Sequence, residues 1–202
     1  MGPVTDHILK YTLNDDIAAL QKAGALNLAD NPNADGYLAG TFKIAAAAPS
    51  AESMSFGPTR KLTAEQQKIY DLGKSVFIRD AHCATCHQPN GLGIPNIYPT
   101  LAKSNWLGDD ERLIKIALKG LWGPIEVNGT KYDPTKGVPP MMGFGPLLND
   151  DELAAVLSYV RESFGNDGEF IPPAKVKQVR EATKDRVNFY MVDELLKEHP
   201  LK

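Results

Sequence analysis

The sequence has little cysteine. Cys83 and Cys86 are its only two, too few for a disulfide framework in 202 residues. It also lacks a long apolar run: the greasiest stretch, Phe42 to Pro49, is Ala-rich, broken by Lys43, and far shorter than the roughly 18 residues of a membrane helix. Basic excess is absent too. With 22 Lys and Arg against 25 Asp and Glu, the net charge of -3 supplies no broad field for a nucleic-acid backbone, and no nucleic-acid partner is expected. No basic stretch followed by an apolar one opens the chain, so a secretory signal is expected to be either absent by nature or already removed. What remains is ordinary: 43% hydrophobic and 23% charged residues exclude a fibrous repeat and a wholly disordered chain. At about 150 residues per domain, the length suggests one modest domain with extensions.

The extensions are visible in the composition. Residues 1–61 combine a short helical tendency at Asp15 to Ala25 with turn residues Asn31, Pro32, Asn33, Asp35 and Gly36 and an Ala/Ser/Pro linker. This part reads as a docking arm without a core of its own. At Thr63 the pattern changes: Gln66 completes a capping box, and Ile69, Leu72, Val76 and Phe77 form a stripe that predicts a helix over 64–79. A second helix is expected over 109–119, ended by Gly120, and the strongest one begins at Asn149 or Asp150 with Leu153, Val156, Leu157, Val160 and Phe164 in register, stopping at Gly165. Residues 88–106 and 121–148 are crowded with Gly and Pro and predict irregular loops that wrap around something. Beyond Pro172, helical tendencies at 174–185 and 188–196 carry mixed charge, which predicts a solvated surface with a thin apolar stripe that packs back onto the domain.

The chemistry concentrates in His82-Cys83-Ala84-Thr85-Cys86-His87. A zinc site would need a second Cys or His pair, and His7 and His199 lie at opposite ends of the chain. A redox dithiol should follow a strand and open a helix, whereas here a helix precedes and loops follow. The third reading is covalent haem attachment. Each thiol adds its S–H across one of two vinyl groups, and the adjacent His87 reaches the iron. A porphyrin also supplies apolar surface to a small, loop-rich domain. A second axial donor is then expected from a distant loop, and Met141 and Met142 both qualify, although a methionine is more often core filling. Periodicity does not choose between them. Trp106, Trp122 and Tyr132 combine aromatic surface with a polar N–H or O–H, so each is a candidate for haem packing or for ordinary core.

From about Leu62 to Gly165 the sequence resembles a monohaem class I c-type cytochrome, similar to bacterial cytochrome c domains found free or fused to periplasmic oxidoreductases. The resemblance rests on the helix with Gly73 and Phe77, on CATCHQPNGLGIPNIYPTLAKS, on LIKIALKGLWGPIEVNG, and on MMGFGPLLNDDELAAVLSYVRESFGN. It implies an all-α fold, with helices and loops wrapped around one covalently attached haem c over 62–165, an N-terminal extension over 1–61 and a C-terminal helical extension over 166–202. Cys83 and Cys86 become the attachment points, and His87 and Met141 the iron ligands. The Pro99 carbonyl receives the remaining N–H of His87, Leu101 packs beside it, Trp122 lies near the cofactor, and Gly73 and Phe77 sit at a helix crossing with Leu157 and Tyr159. The implied function is one-electron transfer between periplasmic redox proteins, free or as the cytochrome subunit of a dehydrogenase or nitrite reductase. A haem enzyme or sensor with a displaceable sixth ligand is the alternative, and a dihaem peroxidase is disfavoured by the single attachment motif.

Overall fold

Capping chemistry marks where the chain turns helical. The computed structural model describes residues 57–201, and in chain order it contains α1 (Ala64–Phe77), α2 (Cys83–His87), α3 (Asp110–Lys119), β1 (Gly120–Trp122), β2 (Ile125–Val127), β3 (Thr130–Tyr132), β4 (Met141–Met142), α4 (Asp150–Glu162), α5 (Pro173–Ala182), β5 (Tyr190–Met191) and α6 (Val192–Glu198). The helix expected at Asp15–Ala25 and the arm around it lie outside the described residues. Thr63 and Gln66 cap α1 reciprocally, Asn149 and Glu152 do the same for α4, and the Asp109 side chain accepts the Arg112 N–H at the start of α3.

Helices dominate, but the all-α expectation is too narrow. There are two small sheets, one ordered β4-β1-β5 and one a hairpin of β2 and β3, and β2, β3 and β4 lie wholly within 121–148, where only irregular loops are expected. The hairpin turns on Asn128 and Gly129, both at positive φ (50° and 81°), the conformation of a tight two-residue turn that suits these residue types. In the other sheet, Leu121 pairs antiparallel with Met141 on one side and parallel with Tyr190 on the other. These strands are two or three residues long, too short to display a period of two.

Packing begins where α1 meets α4. A Cβ on Gly73 would run into the Ala155 carbonyl and stand 2.7 Å from Tyr159 Cβ, so the absent side chain permits this close approach. Phe77 packs on Tyr159 and Phe164 with ring centroids 5.3 and 5.5 Å apart. Phe164 does not continue the α4 stripe as its spacing predicts, because the helix ends at Glu162; Phe164 then takes φ 60° and its ring turns into the same core. Ile171, Val176 and Val179 join this core, while Tyr190, Val192 and Leu195 enter a second one with Trp106, Ile116 and Leu121. The C-terminal segment thus keeps a mostly exposed, mixed-charge surface and packs a thin apolar stripe back onto the domain. α5 also stops at Ala182, before the expected Asp185, and β5 replaces the start of the last expected helix.

Candidate functional site

Helix α2 is five residues long and holds Cys83, Cys86 and His87 on one turn and a half. Cys83 and Cys86 are half-buried and form no disulfide with each other, and burial pushes the Cys83 thiol up to about 11. His87 is only 8% exposed, and its Nδ1–H donates to the Pro99 carbonyl at 2.9 Å. A carbonyl can only accept, so this bond leaves Nε2 of the neutral ring with its lone pair. Burial lowers the pKa of His87 and the Pro99 bond opposes that shift only in part, which favours the neutral ring able to ligate a metal. His82 bonds locally to the Asp80 carbonyl through Nδ1.

These residues border an apolar cavity of about 460 Å³ that adjoins a deeper one of about 110 Å³. Cys83, His87, Pro99, Met141 and Phe144 line both; Cys86, Trp122 and Met142 line only the outer one; Leu101 and Trp106 line only the inner one. Among the described residues, no Asp, Glu, Lys or Arg lines either. Met141 is half-buried, whereas Met142 is 60% exposed. Trp106 is buried with its indole N–H donated to the Glu126 carbonyl at 2.8 Å, and Trp122 stands at the outer rim at 36% exposure. Tyr132 lines neither cavity and sits in the second core.

Two contributors escape a reading of the sequence. Phe144 presents its ring 5.4 Å from that of His82, and its N–H is fixed by the Ala117 carbonyl at 2.7 Å. Leu121 lines both cavities from the centre of the small sheet. An apolar residue close to Met141 in a Gly/Pro-rich loop is the one signal that points to Phe144; Leu121 has none, because its position depends on strand pairing.

The donor set can be tested against the two metal readings. Among the described residues no three His, Cys, Asp or Glu side chains gather as a metal site, which does not suit zinc. Haem c fits better: two thiols at the attachment spacing, one oriented imidazole and one thioether all border an uncharged apolar crevice within the size range of cofactor pockets.

Comparison with known proteins agrees. The Cytochrome c family model matches residues 70–163. Two cytochrome c-552 proteins of Thermus thermophilus are each 45% identical over 91 residues, or 43% of this chain. The chain covers 65% and 57% of their lengths, less than two-thirds of either. The fructose dehydrogenase cytochrome subunit of Gluconobacter japonicus is 27% identical over 190 residues, 91% of this chain and 36% of that subunit. Residues 70–163 therefore match the Cytochrome c family and are similar to a class I c-type cytochrome domain, a likeness that implies covalently attached haem c as the prosthetic group.

Proposed function

We propose that this protein is a one-electron carrier between extracytoplasmic redox proteins. When bound, haem c supplies an iron that gains or loses one electron without bond-making chemistry on a substrate. Cys83 and Cys86 would hold the group through thioethers, and His87 Nε2 and the Met141 thioether would supply its two axial donors. The Pro99 carbonyl keeps the His87 ring in one orientation and raises its donor strength. Leu101, Trp106 and Phe144 exclude water from the crevice, and Trp122 shields its outer rim. The observation that carries this reading is that His87 and Met141 border the same uncharged crevice, so the chain itself can fill both axial positions and leave none for a substrate.

The test is optical. The ferric holoprotein should show the weak charge-transfer feature of methionine on iron, Met141→Ala should abolish it, and Met142→Ala should leave it intact. Loss in Met142→Ala alone would move the ligand by one residue. Ready binding of small ligands by the native protein would support the haem enzyme or sensor reading instead.

A second reading is favoured by one observation: the match to a fructose dehydrogenase cytochrome subunit runs over 91% of this chain, well beyond the family domain. On this reading the domain delivers electrons within a larger oxidoreductase, with residues 1–61 as docking arm. Co-purification of a catalytic subunit with the full chain, and its loss when residues 1–61 are deleted, would support it. Covalent haem attachment places maturation outside the bacterial cytoplasm, which motivates a periplasmic location; no helix among the described residues is long and apolar enough to cross a membrane.

A further inference from the structure

We propose that Arg180, in the C-terminal segment beyond the family domain, is a positioning residue that clamps the loop carrying Met141 and so sets how readily that methionine leaves the iron. The inference rests on the reading of Met141 as axial ligand. Arg180 uses three edges of its guanidinium at once: Nη1 donates to the Gly145 carbonyl at 2.6 Å, Nη2 to the Leu148 carbonyl at 2.8 Å, and Nε to Asp150 Oδ1 at 2.7 Å. The first two acceptors lie on the loop that leads from Met141 to α4, and the third lies on the first turn of α4. One side chain thus ties the middle of the segment that follows the ligand to its junction with α4.

Among the described residues the loop has few other fastenings. Phe144 and Gly145 donate their N–H groups to the Ala117 and Leu118 carbonyls at the end of α3, at 2.7 and 3.1 Å. Met141 itself pairs with Leu121, whose other edge is covered by Tyr190 of the same C-terminal segment. Both the far side of the small sheet and the Gly145–Leu148 turn are therefore held from beyond residue 163. Only a guanidinium presents planar donors that can satisfy three acceptors in these directions; a lysine ammonium can reach one or two.

The consequence for the ligand follows from population arithmetic. A competing ligand binds the iron only when the methionine loop swings away, so its apparent affinity scales with the fraction of molecules in the open form. One hydrogen bond from a charged donor corresponds to about tenfold in such an equilibrium. Removing the Arg180 fork takes away two bonds to the loop, so the open fraction should rise about tenfold or more.

The experiment titrates ferric full-length holoprotein with imidazole for wild type, Arg180→Ala, Arg180→Lys and Met141→Ala, alongside amide hydrogen exchange. Arg180→Ala should bind imidazole about tenfold or more tightly than wild type, and Arg180→Lys should fall between them. Exchange of the Phe144 and Gly145 amides should accelerate, while the Ile171 amide, held by Ser158 in the core, keeps its rate. An unchanged imidazole affinity with a lowered unfolding midpoint would overturn the clamp and leave Arg180 a purely structural residue. If Arg180→Ala does not accumulate as holoprotein, Arg180→Lys decides alone: affinity equal to wild type overturns the proposal. Met141→Ala should lose the charge-transfer feature and bind imidazole most tightly. If it matches wild type, the ligand assignment itself falls, and with it the clamp's effect on the iron, an outcome distinct from failure of Arg180 alone.

Discussion

Replacing Gly73 by alanine sets two effects of known size against each other. Glycine inside a helix costs about 1 kcal/mol relative to alanine, so in an exposed helix the change would stabilise. At this position the new methyl would overlap the Ala155 carbonyl and stand 2.7 Å from Tyr159 Cβ. The obstacle is backbone in the middle of α4, which cannot rotate away as a side chain can, so α1 and α4 must move apart. Overpacking of this kind typically costs about 1–3 kcal/mol, and a backbone obstacle argues for the upper half of that range. Subtracting the helix-propensity gain leaves a net loss of about 1–2 kcal/mol, or a drop in Tm of roughly 2–8 °C for a protein of this size. Urea unfolding of the reduced holoprotein, followed by far-ultraviolet circular dichroism, should show a lower midpoint at unchanged m. A midpoint equal to or above that of wild type would refute the crossing as the reason for glycine here.

Other consequences follow from the same packing. Leu195 of α6 is fully buried in the second core, so Leu195→Ala should cost about 2–5 kcal/mol, read as a lower urea midpoint; a change under about 0.5 kcal/mol would mean that α6 is not part of the cooperative unit. Burial pushes the Asp109 carboxyl up, but the Arg112 N–H that it caps, His199 and the Arg112 charge outweigh this and hold it below the usual carboxylate range. A carboxyl lowered in the folded state stabilises above its unfolded value near about 4, and that contribution disappears as pH falls through the folded value. Asp109→Asn keeps the capping oxygen and loses the charge, so its urea midpoint should fall less steeply than that of wild type from about pH 6 to about pH 3; parallel profiles would remove Asp109 as a source of acid sensitivity.

How much of the molecule was legible depended on where its chemistry lies. The attachment motif was readable because thiol chemistry fixes residue type and spacing together, and α1, α3 and α4 because a cap and an apolar stripe announce each of them. The hairpin at Asn128 and Gly129 carried a known turn signal, but it was lost among the many breakers on either side. β1, β4 and β5 could not be read at all, since two or three residues show no alternation and their pairing joins positions far apart in the chain. Arg180 was invisible for a different reason: two of its three acceptors are backbone carbonyls, which every residue has, so no residue type marks the partner.

The physical unit extends past the family match because buried charges inside it are paired from outside. Glu162, near the end of α4, has a fully buried side chain, and burial pushes its carboxyl up while the Arg60 guanidinium opposes that shift. Arg60 precedes the matched region, and it is held beside Thr59, whose N–H donates to the Glu162 carbonyl at 3.1 Å and whose hydroxyl donates to the Asn166 carbonyl at 2.8 Å. Removing Arg60 would leave a buried carboxyl without its cation, a costly state that protonation alone relieves. Farther back in the chain, the buried Arg112 of α3 donates to the Trp106 carbonyl and to the carbonyls of His199 and Pro200, so a residue at the centre of the family domain depends on acceptors at the far end of the described chain. Two buried charges inside the domain thus lean on chain outside it. Shortening the protein to residues 70–163 would retain the attachment motif and Met141, yet it would strand Glu162, strip Arg112 of two of its acceptors and remove Arg180 from the loop on which the methionine is carried.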